Sequence, residues 1–115
     1  MLDVFEIVNW LRVKNYDDLK QGKSHRELTQ LRTMKLLYYM QAASLVVRQE
    51  PLFSDPIKAW KYGPVVAAVH GRYNGHREIV GTISQKDRND SELVSHTYNE
   101  MPWQVADQST EITKH

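Results

Sequence analysis

Residues 29–49 read TQLRTMKLLYYMQAASLVVRQ. The stretch holds neither Gly nor Pro, and it predicts the longest helix of the chain. Leu31, Met34, Tyr38, Ala42 and Leu45 recur at helical spacing along one stripe. Leu36, Leu37, Met40, Ala43 and Val47 form a neighbouring stripe. Together the two stripes cover more than half of the circumference. That predicts a central helix, about 29–49, buried on several sides.

The elements on either side follow from local signals. Asp3-Val4-Phe5-Glu6 has the spacing of a capping box, an acidic cap with a Glu three residues later. Val4, Phe5, Val8 and Leu11 then repeat at helical spacing, which predicts a first helix at about 3–13. Residues 14–26 are polar, contain Gly22 and Ser24, and read as a loop. Beyond the long helix, Pro51 is a stop and Phe53 is expected to pack under the following turn. Asp55-Pro56 is a start signal, with Ile57 and Trp60 sharing a face of a short helix that ends near Tyr62. Gly63 then closes that helix and Pro64 opens the next, so Gly63, Pro64 and Val65 read as a structural corner between two helices. Val65, Val66, Val69 and Tyr73 give the next helix its stripe, and Gly75 closes it.

Residues 76–90 are mostly polar; Ile79, Val80 and Ile83 fit a short strand or hairpin near 79–84, or a packed loop around Gly81. Ser91 is placed to cap a short helix through Leu93, Val94 and Tyr98. Met101-Pro102-Trp103 would break it, and Ser109 would cap a last helix carrying Ile112. The fold class expected is mainly α, a compact single-domain helical bundle around the central helix.

The chain has 115 residues, enough for one hydrophobic core. Its charged and apolar fractions of 25% and 41% are near the globular average, which argues against disorder. It has no cysteine, so disulfides and Cys-based zinc sites are excluded and a cytoplasmic setting is expected. The opening MLDVFEIVNW lacks a basic n-region and does not read as a signal peptide. The apolar run from Leu36 to Val47 is too short to span a bilayer.

Signals of catalysis are weak. The phosphate-loop, dinucleotide and zinc-protease motifs are all missing, as is a nucleophile elbow. His25, His70, His76, His96 and His115 are scattered, and Gly75 separates His70 from His76, so a histidine metal site is disfavoured. Asp17-Asp18 reads as a hydrated turn. No cofactor, metal or catalytic residue is expected. Net charge is +1. Lys14, Lys20, Lys23, Arg26 and Arg32 make a loose positive zone, but Asp17, Asp18 and Glu27 dilute it, which argues against nucleic acid as a partner.

The aromatics carry more. Tyr38, Tyr39, Trp60, Tyr62, Tyr73 and Trp103 are numerous for so small a domain. One reading packs most of them into the corner, with Trp60 buried. The other lines a groove that receives a partner, with Lys35 beside it rather than merely snorkelling from the core edge.

MKLLYYMQAA, LFSDPIKAWKYGPVVAAVHGRY and ELVSHTYNEMPW together resemble the Panacea antitoxin domain, which includes SocA-type antitoxins and phage-associated GepA-like proteins. The pattern is a K-L-L-Y-Y helix, an A-W-x-x-G-P-V corner, a Tyr one helix later and a T-H-x-x-x-P-W tail. The matches fall at Lys35 to Tyr38, at Ala59, Trp60 and Gly63 to Val65, at Tyr73, and at Thr97, Pro102 and Trp103. They span about 28–104 of a single domain over 1–115. Two departures stand out. The His after Thr is Tyr98 here, so no role carries to that position. Similar proteins also have a further helix before the tail, so either the domain is shortened there or, as expected, a stretch of chain is missing near 86–89; similar proteins also continue a helix beyond EITKH.

The resemblance implies an antitoxin, often prophage-borne, that neutralises a neighbouring toxin by stoichiometric binding. A second role it implies is a proteolytic adaptor that presents the bound toxin to a protease. A small phage enzyme or metal-binding protein is the remaining expectation, and purified protein carrying metal would support it.

Overall fold

The structure, a computed structural model, describes residues 1–99. Its elements are helix α1 (Val4–Lys20), helix α2 (Gln30–Val47), strands β1 (Ile57–Trp60) and β2 (Gly63–Val66), helix α3 (Ala67–Arg72) and helix α4 (Gln85–Asn99). The architecture is mainly helical, as expected, with one antiparallel hairpin.

The capping box forms as read. The Asp3 side chain accepts from the Phe5 amide at 2.8 Å, and Glu6 accepts from the Asp3 amide at 2.9 Å. The helix does not stop at 13, however, and most of the expected 14–26 loop is helix. Lys14–Lys20 contains no Gly or Pro, so nothing local ends the helix before Gln21 and the positive-φ Gly22. Asn15 then catches the returning chain: its amide donates to the Arg26 carbonyl and its oxygen accepts from the Leu28 amide.

α2 keeps nearly its expected bounds, with Thr29 as N-cap. It is not the central buried helix. Only Thr33, Met34, Leu37 and Ser44 are buried along it, whereas α1 buries eight residues, from Val4 to Val13. α1 packs chiefly on α4 and supplies the heart of the core with Ile7 and Val8. The C-terminal end of α2 is closed by Gln49 in the left-handed conformation (φ 59°). Ser44 Oγ donates to the Glu50 carbonyl at 2.6 Å. The Gln41 side chain accepts from the Leu52 and Phe53 amides and donates to the Phe53 carbonyl. These bonds hold Phe53, fully buried as expected, in the core.

The Gly-Pro corner is a hairpin and not a meeting of two helices. Ile57 pairs with Val66 and Trp60 with Gly63, and Lys61-Tyr62 forms the turn. The β-branched and aromatic residues on both sides favour strands. Pro64, which has no N–H, is tolerated because both strands of a lone hairpin are edges. Val65 and Val66 therefore lie in β2, and the helix behind them shortens to α3. Neither turn residue has positive φ; Gly63 has it instead, at φ 121°. A β-carbon there would meet no atom within 4 Å, so Gly63→Val should cost backbone strain alone, about 1–3 kcal/mol. An unchanged Tm in the variant would show that the hairpin does not need that conformation.

No hairpin forms near 79–84. Glu78 makes an isolated bridge to Thr29, and the Ile79 amide donates to the Leu28 carbonyl, so this connector zips onto the entrance of α2. Ile79 and Val80 are buried there as a packed segment. α4 begins at Gln85 and not at Ser91, because Ser84 and Asp87 cap each other's backbone amides. Residues 86–89 lie in its first turns. The expected break at Met101-Pro102-Trp103 and the Ser109 helix lie outside the described residues.

The α1–α4 interface is polar at one end. Arg12 is buried and donates to the carbonyls of Ile79 (2.8 Å), Val80 and Thr82 (3.0 Å) and to Asn9 Oδ1. It also pairs with Asp87 at 3.2 Å. Asp90 accepts from both Asn9 and Lys86. Burial pushes the Asp87 carboxyl up, but the Ser84 amide and the Arg12 guanidinium outweigh it and hold the pKa below its ordinary 3.8. A lowered folded-state pKa stabilises above the unfolded value, and the contribution is lost as pH falls below about 4. Asp87→Asn should therefore lower Tm at neutral pH and flatten the acid limb of the Tm profile. An acid limb as steep in the variant as in the native chain would contradict this assignment.

Candidate functional site

Most of the residues singled out for partner binding lie at the surface. On α2, Lys35 is exposed, and Tyr38 and Tyr39 are 46% and 56% accessible. The two tyrosine rings lie 5.7 Å apart. The stripe that carries Tyr38 begins at Leu31 and ends at Leu45, both about half exposed, and Val46 lies almost wholly in water. Of this stripe, expected in the core, only Met34 is buried, against β2, and Leu31, Tyr38 and Leu45 are left exposed. The sequence shows that the helix is apolar, but the side it buries is fixed by α1, β2 and Phe53 elsewhere in the fold.

The hairpin carries the second group. Trp60 is 45% and Tyr62 77% exposed, so Trp60 is not the buried residue that one reading required. Lys61 Nζ lies over the Tyr62 ring at 5.4 Å. The Trp60 ring meets the edge of His70 at 5.0 Å, and His70 Nδ1 lies 2.9 Å from Gln30 Oε1. Gln30 also donates to the carbonyls of Tyr73 and His76. One imidazole thus joins the hairpin, α3 and the first turn of α2. Sequence reasoning missed this role, since His70 carries no motif. β2 fastens the hairpin to α2 directly, through the Val66 amide and Met34 Sδ at 3.4 Å.

Tyr73 stands apart from the exposed group: it is partly buried and packs against the core cluster. Trp103 lies outside the described residues. Gly63, Pro64 and Val65 shape the hairpin that presents Trp60 and Tyr62. Glu27 and Glu78 form a second titratable cluster. A hydrogen bond from Glu78, then burial and the charge of Glu78, raise the Glu27 pKa above its ordinary value. Among the described residues no group of three or more His, Asp or Glu is placed to hold a metal ion, and no helix is long and apolar enough to cross a membrane.

Fold and surface together define a small, mainly helical domain with aromatic and aliphatic side chains left in water, a feature that marks interaction sites. The chain belongs to the antitoxin SocA-like family, Panacea domain, which it matches over residues 33–90, just over half its length. That span contains the K-L-L-Y-Y and A-W-x-x-G-P-V motifs and ends before the tail motif. No curated protein and no solved structure matches it.

Proposed function

We propose that the protein is the antitoxin of a toxin–antitoxin pair and neutralises its cognate toxin in the cytoplasm by direct, stoichiometric binding. Family membership supplies the class of role. The observation that carries the binding mechanism is the exposure of Tyr38, Tyr39, Trp60 and Tyr62 on two joined elements. Half-exposed aromatics on a rigid frame make effective anchors. They bring large apolar area, and they lose little side-chain entropy on binding. Lys35 and the remaining polar residues would form the rim that sets specificity.

Catalysis has no part in this reading, and the protein would be consumed one for one by its partner. A prophage setting fits the same role. The test is co-expression. The gene beside this one is induced alone and then with this protein, and the complex is recovered by affinity capture. Growth arrest, relieved by this protein with a complex recovered, is the expected result. Arrest relieved with toxin levels falling and no complex recovered would replace neutralisation by delivery to a protease. A harmless neighbour would remove the antitoxin assignment.

A further inference from the structure

The segment that carries the exposed aromatic residues is also electrically one-sided. Residues 28–77 carry seven Lys and Arg against two Asp and Glu, a net of +5. The rest of the chain carries eight against twelve, a net of −4, which gives the overall +1. α2, β1, β2 and α3 contain no acidic residue at all. The two acids in the span, Glu50 and Asp55, lie in the connection between α2 and β1, and Glu50 is paired with Arg48 at 3.4 Å. Lys35 on α2, and Lys58 and Lys61 on the hairpin, are all exposed beside the aromatic residues. The protein's overall charge hides this segregation, because the compensating acids all lie outside residues 28–77.

Resting on the antitoxin reading, we infer that this face takes an acidic, amphipathic segment of the toxin. Apolar side chains of that segment would lie against Tyr38, Trp60 and Tyr62, and its carboxylates would meet Lys35, Lys58 and Lys61. Charge complementarity selects this occupant. A second copy of the chain would bring the same lysines, which meet no acidic partner among the described residues, against themselves, and like charges across an interface are strongly disfavoured. Single-stranded nucleic acid also binds lysines interleaved with aromatic rings. It has no use for the aliphatic part of the face, where Leu31, Leu45 and Val46 are exposed. A protein segment covers both parts at once.

The experiment measures association of the full-length protein with the product of the adjacent gene, over a range of salt concentrations. The reversals Lys35→Glu, Lys58→Glu and Lys61→Glu are compared with Lys23→Glu, an exposed lysine in the α1–α2 connection that makes the same change in net charge. Each reversal on the face should slow association about tenfold at low salt, and the three together should abolish its salt dependence. Lys23→Glu should leave the rate near that of the native chain. Lys58→Gln, which removes charge without reversing it, should fall between, and unchanged Tm values would show that the variants are folded.

Equal association by native and reversed chains would overturn the acidic-segment inference while the antitoxin reading stands. A native chain that forms no complex would overturn both. Binding of oligodeoxythymidine that the same reversals abolish, without binding of the adjacent gene product, would assign the face to nucleic acid. A dimer in sedimentation that Tyr38→Glu dissolves would assign it to a second copy.

Discussion

Arg12→Leu should destabilise the protein by about 3–5 kcal/mol, the range for breaking a buried ionic network from one side. The Arg12 side chain is only 10% exposed and spends its donors on three consecutive-region carbonyls, Asn9 and Asp87. Leucine fills part of the volume and satisfies none of them. The carbonyls of Ile79, Val80 and Thr82 would lose their donor, and Asp87 would keep a carboxylate in a partly buried site. The loss is a large share of the roughly 5–15 kcal/mol that holds a domain folded. Urea unfolding measures it, and amide exchange should report opening first in the 79–84 segment and the start of α4. A loss under about 1 kcal/mol would show that the carbonyls find other partners and that the network is incidental.

Trp60→Ala should divide stability from binding. A half-exposed Trp on a hairpin should cost roughly 1–2 kcal/mol of stability when truncated, well below a fully buried Trp. If it anchors the partner, its loss should weaken the complex by about 2 kcal/mol or more, roughly thirtyfold. Tyr62→Ala, at 77% exposure, should leave Tm almost unchanged and still weaken binding. Tm and affinity measured on the same preparations decide the matter. A large fall in Tm with affinity intact would return Trp60 to a structural role.

The elements that sequence reveals best are those with local signals. The Asp3 cap, the uninterrupted α2 and the burial of Phe53 all follow from short-range chemistry. The hairpin was harder, because Gly63-Pro64 punctuates helices and strands alike. The β-branched residues on either side were the cue. Ser84 and Asp87 hold the spacing of a capping box and mark the true start of α4, whereas Ser91 precedes the clearer apolar pair Leu93-Val94. α1 runs on past residue 13 through KNYDDLK, where Tyr16 and Leu19 are too few apolar residues to show a period.

The candidate site was legible in residue type and not in placement. Composition shows that Tyr38, Tyr39, Trp60 and Tyr62 are aromatic; only the packing of α1, β2 and Phe53 decides that those four are left outside. Tyr73, from the same list, packs against the core. His70 and Arg12 gave weaker signals still. Arg12 interrupts an apolar helix between Leu11 and Val13, which hints at a buried guanidinium, but its carbonyl partners are almost seventy residues away in sequence.

The most direct measurement is a calorimetric titration of the purified product of the adjacent gene with this protein, native and Trp60→Ala. Direct neutralisation predicts heat that saturates at a fixed stoichiometric ratio with the native chain, and a much weaker isotherm with the variant. Absence of binding by the native chain, while it still relieves growth arrest in cells, would contradict neutralisation through this surface.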